Sequence, residues 1–257
     1  MHKGPNQPVF HYNAQGHALS GHISRPLDHL IEVQAPTSLP TTGGHGTSQV
    51  DNFGYEKVVS FKSGHSYASG SPDKEENSFT TLVTAAVEGL NILDVVTADR
   101  VVARISCHHV VPDDEARIIV LGSHFQNLRI AGCPVDVELD HELFLKLDTF
   151  QAVRKELESN AEFRRMAEDP LQTGQTRKSP NSHGSVHCSL VKNMTTKCPG
   201  VKRRGHMFEV PQFGIIYVGE VIVEHSRRTL TMLRVELGCP VGGTIVTAQV
   251  QGNGWPL

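Results

Sequence analysis

The chain has one tryptophan, Trp255, and four tyrosines among 257 residues. Sugar-binding β-domains stack their ligands on aromatic rings, so a carbohydrate platform has little to be built from. No apolar run reaches the roughly 20 residues that a membrane-spanning helix needs. The first residues, Met1-His-Lys-Gly-Pro-Asn-Gln-Pro8, hold no apolar signal core, which makes the cytoplasm the default expectation. Charge of one sign is missing too: 24 Lys and Arg against 27 Asp and Glu leave a net charge of −3. Such a chain has no global pull on nucleic acid or anionic membranes, so neither is an expected partner. The five cysteines, Cys107, Cys133, Cys188, Cys198 and Cys239, are odd in number and form no CxxC pair. That argues against a full disulfide framework and leaves one or two bridges open. Gly-rich phosphate loops at a strand–helix junction, GxSxG elbows and HExxH motifs are all absent from the sequence.

What is present is strand-forming sequence. The stretch Ser78–Leu139 contains Phe79–Val87, Val101–Cys107, Ala116–Leu121, Phe125–Ile130 and Val135–Leu139. Each is short, rich in β-branched residues and bounded by Gly, Pro, Asn or Asp. Alternation puts Phe79, Thr81, Val83, Ala85 and Val87 on one face, and Val101, Ala103, Ile105 and Cys107 on one face of the next strand. Such strands need a second apolar layer. The segments 8–23, His29–Ala35 and Tyr55–Phe61 supply candidates before the stretch, and the hairpin Gly214–His225/Thr229–Leu237 with Thr244–Val250 supplies them after it. Gly64–Asn77, Leu171–Gly184 and Lys192–Gly205 read as polar loops, and Asn253-Gly254-Trp255 as a loose tail. One helix is predicted over about 149–167, with Asp148 as N-cap, Gln151 completing a capping box, and Phe150, Val153, Leu157 and Ala161 on one face. Phe163 and Met166 fall off that face and point to a second surface or a neighbouring chain.

The expectation is a mainly β, antiparallel β-sandwich-like architecture crossed by one helix and completed by a C-terminal hairpin. Its parts are a mobile arm (1–7), an N-terminal β region (8–147), the helix (148–170), a loop-rich connector (171–205) and a C-terminal hairpin region (206–257) on the same core. The run Leu27…Ile31-Glu-Val33…Leu39-Pro40…Gly43-Gly44, then Ala85–Leu93, Val96–Ala103 and Gly122…Asn127–Gly132, resembles bacterial surface β-domains of the choice-of-anchor type over about residues 27–140. The resemblance implies an extracellular, non-enzymatic β-sandwich and brings no catalytic residues with it. The chain departs from that pattern in showing no signal core and no anchor tail, and in carrying a helix and a C-terminal hairpin.

Fifteen histidines are the compositional oddity. Zinc takes His and Cys at short spacing, and the best local set is His183, His187 and Cys188 with Cys198 and His206 downstream. The spacing matches no standard zinc signature, so ordinary loop residues and no cofactor form the competing expectation. Cys107-His108-His109 has Cys107 continuing an apolar face and reads as core. Glu220, on a strand apolar on both faces, needs a partner. A turn at Ser226-Arg227-Arg228 sets it opposite Arg234, which predicts a structural ion pair, and a two-residue turn would break that register. Lys202-Arg203-Arg204 and Arg227-Arg228 read as solvated turns. Asn193-Met-Thr195 is a glycosylation sequon by pattern. The expected role is that of a structural or interaction protein that pairs with itself or another protein through strand edges. A metal-binding protein and a small-ligand or glycan-binding module are the alternatives.

Overall fold

The computed structural model describes residues 10–168 and 184–256. The expected arm 1–7, the connector residues 171–183 and His183 lie outside them. Eleven strands come first: β1 (Phe10–Arg25), β2 (His29–Gln34), β3 (Thr37–Ser38), β4 (Gly44–Tyr55), β5 (Val59–Asp73), β6 (Ser78–Ile92), β7 (Val96–Val110), β8 (Arg117–Ile119), β9 (His124–Gln126), β10 (Arg129–Ile130) and β11 (Cys133–Leu139). Three helices follow, α1 (His141–Lys146), α2 (Phe150–Ser159) and α3 (Ala161–Glu168). Then come β12 (Ser185–Ser189), β13 (Val191–Thr196), β14 (Lys202–Arg204), β15 (Met207–Val210), β16 (Gly214–Glu224), β17 (Arg227–Leu237) and β18 (Gly242–Pro256).

They form two antiparallel sheets packed as a sandwich. Sheet A runs β14-β15-β16-β17-β18-β1-β2, with β12 beside β16 and β3 beside β1. Sheet B runs β13-β11-β10-β7-β6-β5-β4, with β8 and β9 beside β7. Of the inward residues of β6 and β7 named from the sequence all but the half-buried Phe79 are buried, and the apolar ones meet Ala14, Ala18, Ile245 and Val250 of sheet A in one hydrophobic cluster. The sheets come very close in places: a Cβ on Gly64 of β5 would lie 2.8 Å from the Ala18 Cβ of β1. That explains why Gly64–Asn77, predicted to be a loop, is largely the long strand β5. Its Gly and Ser residues are the small side chains a tight inter-sheet gap needs.

Other boundaries move for equally local reasons. Tyr55–Phe61 holds the turn between β4 and β5, with Glu56 at φ 46°. The predicted loop Lys192–Gly205 contains most of β13 and all of β14, and the supposed tail at Asn253–Trp255 belongs to β18. The single helix is broken at Asn160, whose N–H donates to the Glu156 carbonyl while its Oδ1 accepts from the Glu162 and Phe163 amides. One residue thus ends α2 and caps α3. The break re-aims the last turns, so Phe163 is buried in the common core and Met166 Sδ accepts from Ser189 N on β12. The N-cap of α2 is Thr149 rather than Asp148: its Oγ1 accepts from Ala152 N at 3.2 Å. The Glu115 carboxylate accepts from the Phe150 and Gln151 amides.

Each sheet is creased along one transverse line. Between β16 and β17 the ladder pairs Val218 with Leu233 and Glu220 with Thr231, skipping Gly219 and Met232. The same skip falls at Met232/Ala248 between β17 and β18, and at Ala248/Ala18 between β18 and β1. Sheet B repeats it through Asn52/Lys62, Gly89 and Asp99 to Asn127. Left-handed backbone recurs along both lines, with φ 64° at Gly219, 50° at Ala248, 55° at Asn52, 64° at Gly89 and 50° at Asn127. Each crease acts as a bulge in every strand it crosses and inverts which face is inward. On β16 the core side chains are Ile216 and Val218 before Gly219, then Val221 and Val223 after it.

Candidate functional site

The residues named as a possible zinc set do not share a centre in the described part of the chain. His187 and Cys188 are neighbours on β12 and point to opposite faces, with Cys188 buried in the core. Cys198 lies at the other sheet, its Sγ 2.7 Å from that of Cys133. His206 sits between β14 and β15, with Nε2 4.0 Å from Glu220 Oε1. Among the described residues no group of three or more His, Cys, Asp or Glu side chains converges as a metal would require. Burial pushes the Cys107 and Cys188 thiols up to about 12, so neither offers a thiolate near neutral pH.

Glu220 and Arg234 meet, by a route the sequence argument did not foresee. The turn is the two-residue His225-Ser226, since Glu224 pairs with Arg227, and Glu220 therefore stands opposite Thr231. Arg234 stands opposite Tyr217. The crease at Gly219 then turns Glu220 onto the Tyr217 face, away from Ile216 and Val218. Arg234 Nε donates to Glu220 Oε2 and Nη2 to Oε1, both at 2.7 Å. Its Nη1 donates to Glu236, and its guanidinium lies 3.6 Å from the centre of the Tyr217 ring. Tyr217 closes the cluster by donating to Glu236 Oε2 at 3.1 Å. Burial pulls the Arg234 guanidinium down, and the Glu220 hydrogen bonds and the Glu220 and Glu236 charges more than offset that and raise it. Both carboxylates are engaged by a cation that does not exchange protons, so the arrangement suits holding β16 to β17 rather than proton transfer.

Arg228 corrects the reading of Arg227-Arg228 as a solvated turn. Arg227 is exposed and paired with Glu224, but Arg228 is 1 % exposed. The Arg228 side chain reaches inward, where Nη2 donates to the Leu147 carbonyl at the end of α1. Its Nη1 has no hydrogen-bond partner among the described residues.

Two surface features stand out among the described residues. On the outer face of sheet A, Gln15, His17, Gln249 and Gln251 meet the Val33–Ser38 stretch around a cleft of about 370 Å³. Gln249 is tied to Thr231 Oγ1 at 2.7 Å, and burial lowers the His17 pKa, so the lining is uncharged near neutral pH. The second feature is β4. Among the described residues no strand pairs with its far side. Twelve residues long, it holds Asp51 as its only Asp, Glu, Lys or Arg, and no proline. Its inward side chains Val50, Phe53 and Tyr55 are only partly covered.

A family model, Domain of unknown function (DUF8256), matches residues 10–224. The chain belongs to the DUF8256 family. The DUF8256 match starts with β1 and ends with β16, one residue short of the hairpin turn, so β17 and β18 follow it in sequence and complete sheet A. All four terminal strands of the two sheet paths, β2, β4, β13 and β14, lie inside the DUF8256 stretch. No curated protein and no solved structure matches the chain.

Proposed function

We propose that the protein is a non-enzymatic interaction protein that pairs with a second copy of itself through the edge of β4. One observation carries the reading: a twelve-residue edge with no lysine and no proline, interrupted at the Asn52 crease and touched from sheet A where His29 of β2 stacks on Tyr55. Natural sheet edges are blunted by lysines, prolines, inward charges or a covering segment. β4 has one acidic residue, no lysine and no proline. An added strand would satisfy its outward backbone groups and finish covering Val50, Phe53 and Tyr55. The same edge meeting itself around a two-fold axis closes the assembly and prevents open-ended growth. A net charge of −3 opposes this only weakly. The likeness to choice-of-anchor surface domains favours the same non-enzymatic role and would set it at a cell surface.

Size-exclusion chromatography with light scattering tests the proposal. The mass should rise above the 28.1 kDa of one chain as concentration increases. Thr47→Lys with Gln49→Lys, both on the exposed face of β4, should return the protein to one chain without changing its melting temperature by more than a few degrees. A strict monomer at high concentration overturns the proposal. A second reading rests on the sheet A cleft, whose amides and hydroxyls would take a neutral polar ligand. Saturable binding lost in Gln251→Ala would favour it.

A further inference from the structure

We propose that Cys133 and Cys198 form a disulfide that closes the far end of the β11–β13 ladder. The two cysteines face one another in register. β11 and β13 pair Val135 with Thr196, and carrying that register two positions further out, just past the end of β13, sets residue 133 across from residue 198. Their sulfur atoms are in contact, and both lie within 4.0 Å of the Ala131 carbonyl oxygen. Facing positions of an antiparallel pair bring Cβ atoms within the span that a disulfide bridges without backbone movement.

The bond would join a specific pair of chain positions. After β11 the chain leaves sheet B, forms α1, α2 and α3, adds β12 to the edge of β16 in sheet A, and returns to sheet B as β13. The excursion departs after Leu139 and returns at Val191, while Cys133 opens β11 and Cys198 lies two residues past β13, so the bond would close the far end of that ladder. No other cysteine competes for either partner: Cys107 and Cys188 are buried in the core and Cys239 is exposed on the turn before β18. Cys133 is the more accessible of the two, so it acts first. Its thiolate attacks one sulfur of a small disulfide such as oxidised glutathione and releases one glutathione thiol. The Cys198 thiolate then attacks the Cys133 sulfur of the mixed disulfide and releases the second. Two protein thiols are oxidised, one glutathione disulfide is reduced, and two protons pass to the departing thiolates. The bridge fixes β13, a terminal strand of sheet B, to β11.

The test uses the full chain carrying Cys239→Ser, which removes the exposed bystander thiol. After oxidised glutathione, the intact mass should fall by two hydrogens and native iodoacetamide should no longer label Cys133. A non-reducing digest should contain one peptide pair joined through Cys133 and Cys198, and the melting temperature should fall by several degrees on reduction. In Cys198→Ser the reaction should stop at Cys133 bearing glutathione. A stable glutathione adduct on Cys133 in the parent protein, or Cys133 still labelling after oxidation, overturns the proposal. If Cys198→Ser does not fold, the mass and peptide readouts on the parent decide alone.

Discussion

Replacing Arg228 by methionine should leave stability almost unchanged, although the residue is among the most buried in the protein. Burial pulls its guanidinium down from its ordinary value to about 10, against the opposing pull of Cys188, Asp148 and Glu115. At about 1.4 kcal/mol per tenfold step, the buried charge costs about 3 kcal/mol. The cost is fully present below pH 10 and is relieved as pH rises toward the unfolded value, because the unfolded chain holds the proton more tightly. On the other side stands the bond to the Leu147 carbonyl. A hydrogen bond from a charged donor contributes about 1.5–3 kcal/mol. Arg228→Met removes both while keeping most of the apolar stem, so the change should fall within about 1 kcal/mol of zero, as for other buried charges exchanged for apolar residues. Arg228→Ala also removes the stem, and the resulting cavity should cost about 2–4 kcal/mol. Urea unfolding at pH 7, monitored by circular dichroism with the slope checked for constancy, separates the two. If Met is as damaging as Ala, the guanidinium is a net stabiliser and the reasoning fails.

Three more outcomes follow from the structure. His109 is 1 % exposed beside Phe10, and neither ring nitrogen has a hydrogen-bond partner among the described residues. Burial lowers its pKa, with Asp113 opposing and His108 reinforcing, so the unfolded chain takes up the proton first and the melting temperature should fall as pH drops below about 6.5. His109→Phe should flatten that slope, and an unchanged slope would assign it to other groups. Glu220→Gln leaves Arg234 with Glu236 as its carboxylate partner and should cost about 1–2 kcal/mol, read by urea unfolding. No measurable loss would mean that Glu236 and the Tyr217 ring suffice.

The central strands were legible because β6 and β7 keep a clean two-residue alternation over long stretches, and because β-branched residues fill their inward positions. The polar strands were not. β4 and β5 are built from Gly, Ser, Thr and Gln, whose propensities favour loops, and only the closeness of the opposing sheet makes small residues the right choice there. Glu220 shows how a partner can be foreseen while its geometry is missed. Regular alternation puts it with Ile216 and Val218, yet the left-handed turn at Gly219 moves it to the other face. A lone glycine inside an apolar strand was the available signal for that inversion. Arg228 left no such signal: a basic dipeptide beside a turn looks solvated, and only the tertiary arrangement shows one of the two facing inward. The described zinc candidates were near one another in sequence, but His187 and Cys188 fall on opposite faces of β12, Cys198 lies past β13 beside the other sheet, and His206 lies between β14 and β15.

The shared crease constrains how the sequence can change length. A strand that lost its residue on that line, such as Gly219, would present its next half to the wrong side, with Val221 and Val223 facing out. Its neighbours would still carry their own offset, so the mismatch could be repaired only by the same deletion in each adjoining strand. Single-residue insertions and deletions should therefore be absent from the creased strands of family members, or appear in lockstep across a sheet. Turns such as His225-Ser226 can vary alone.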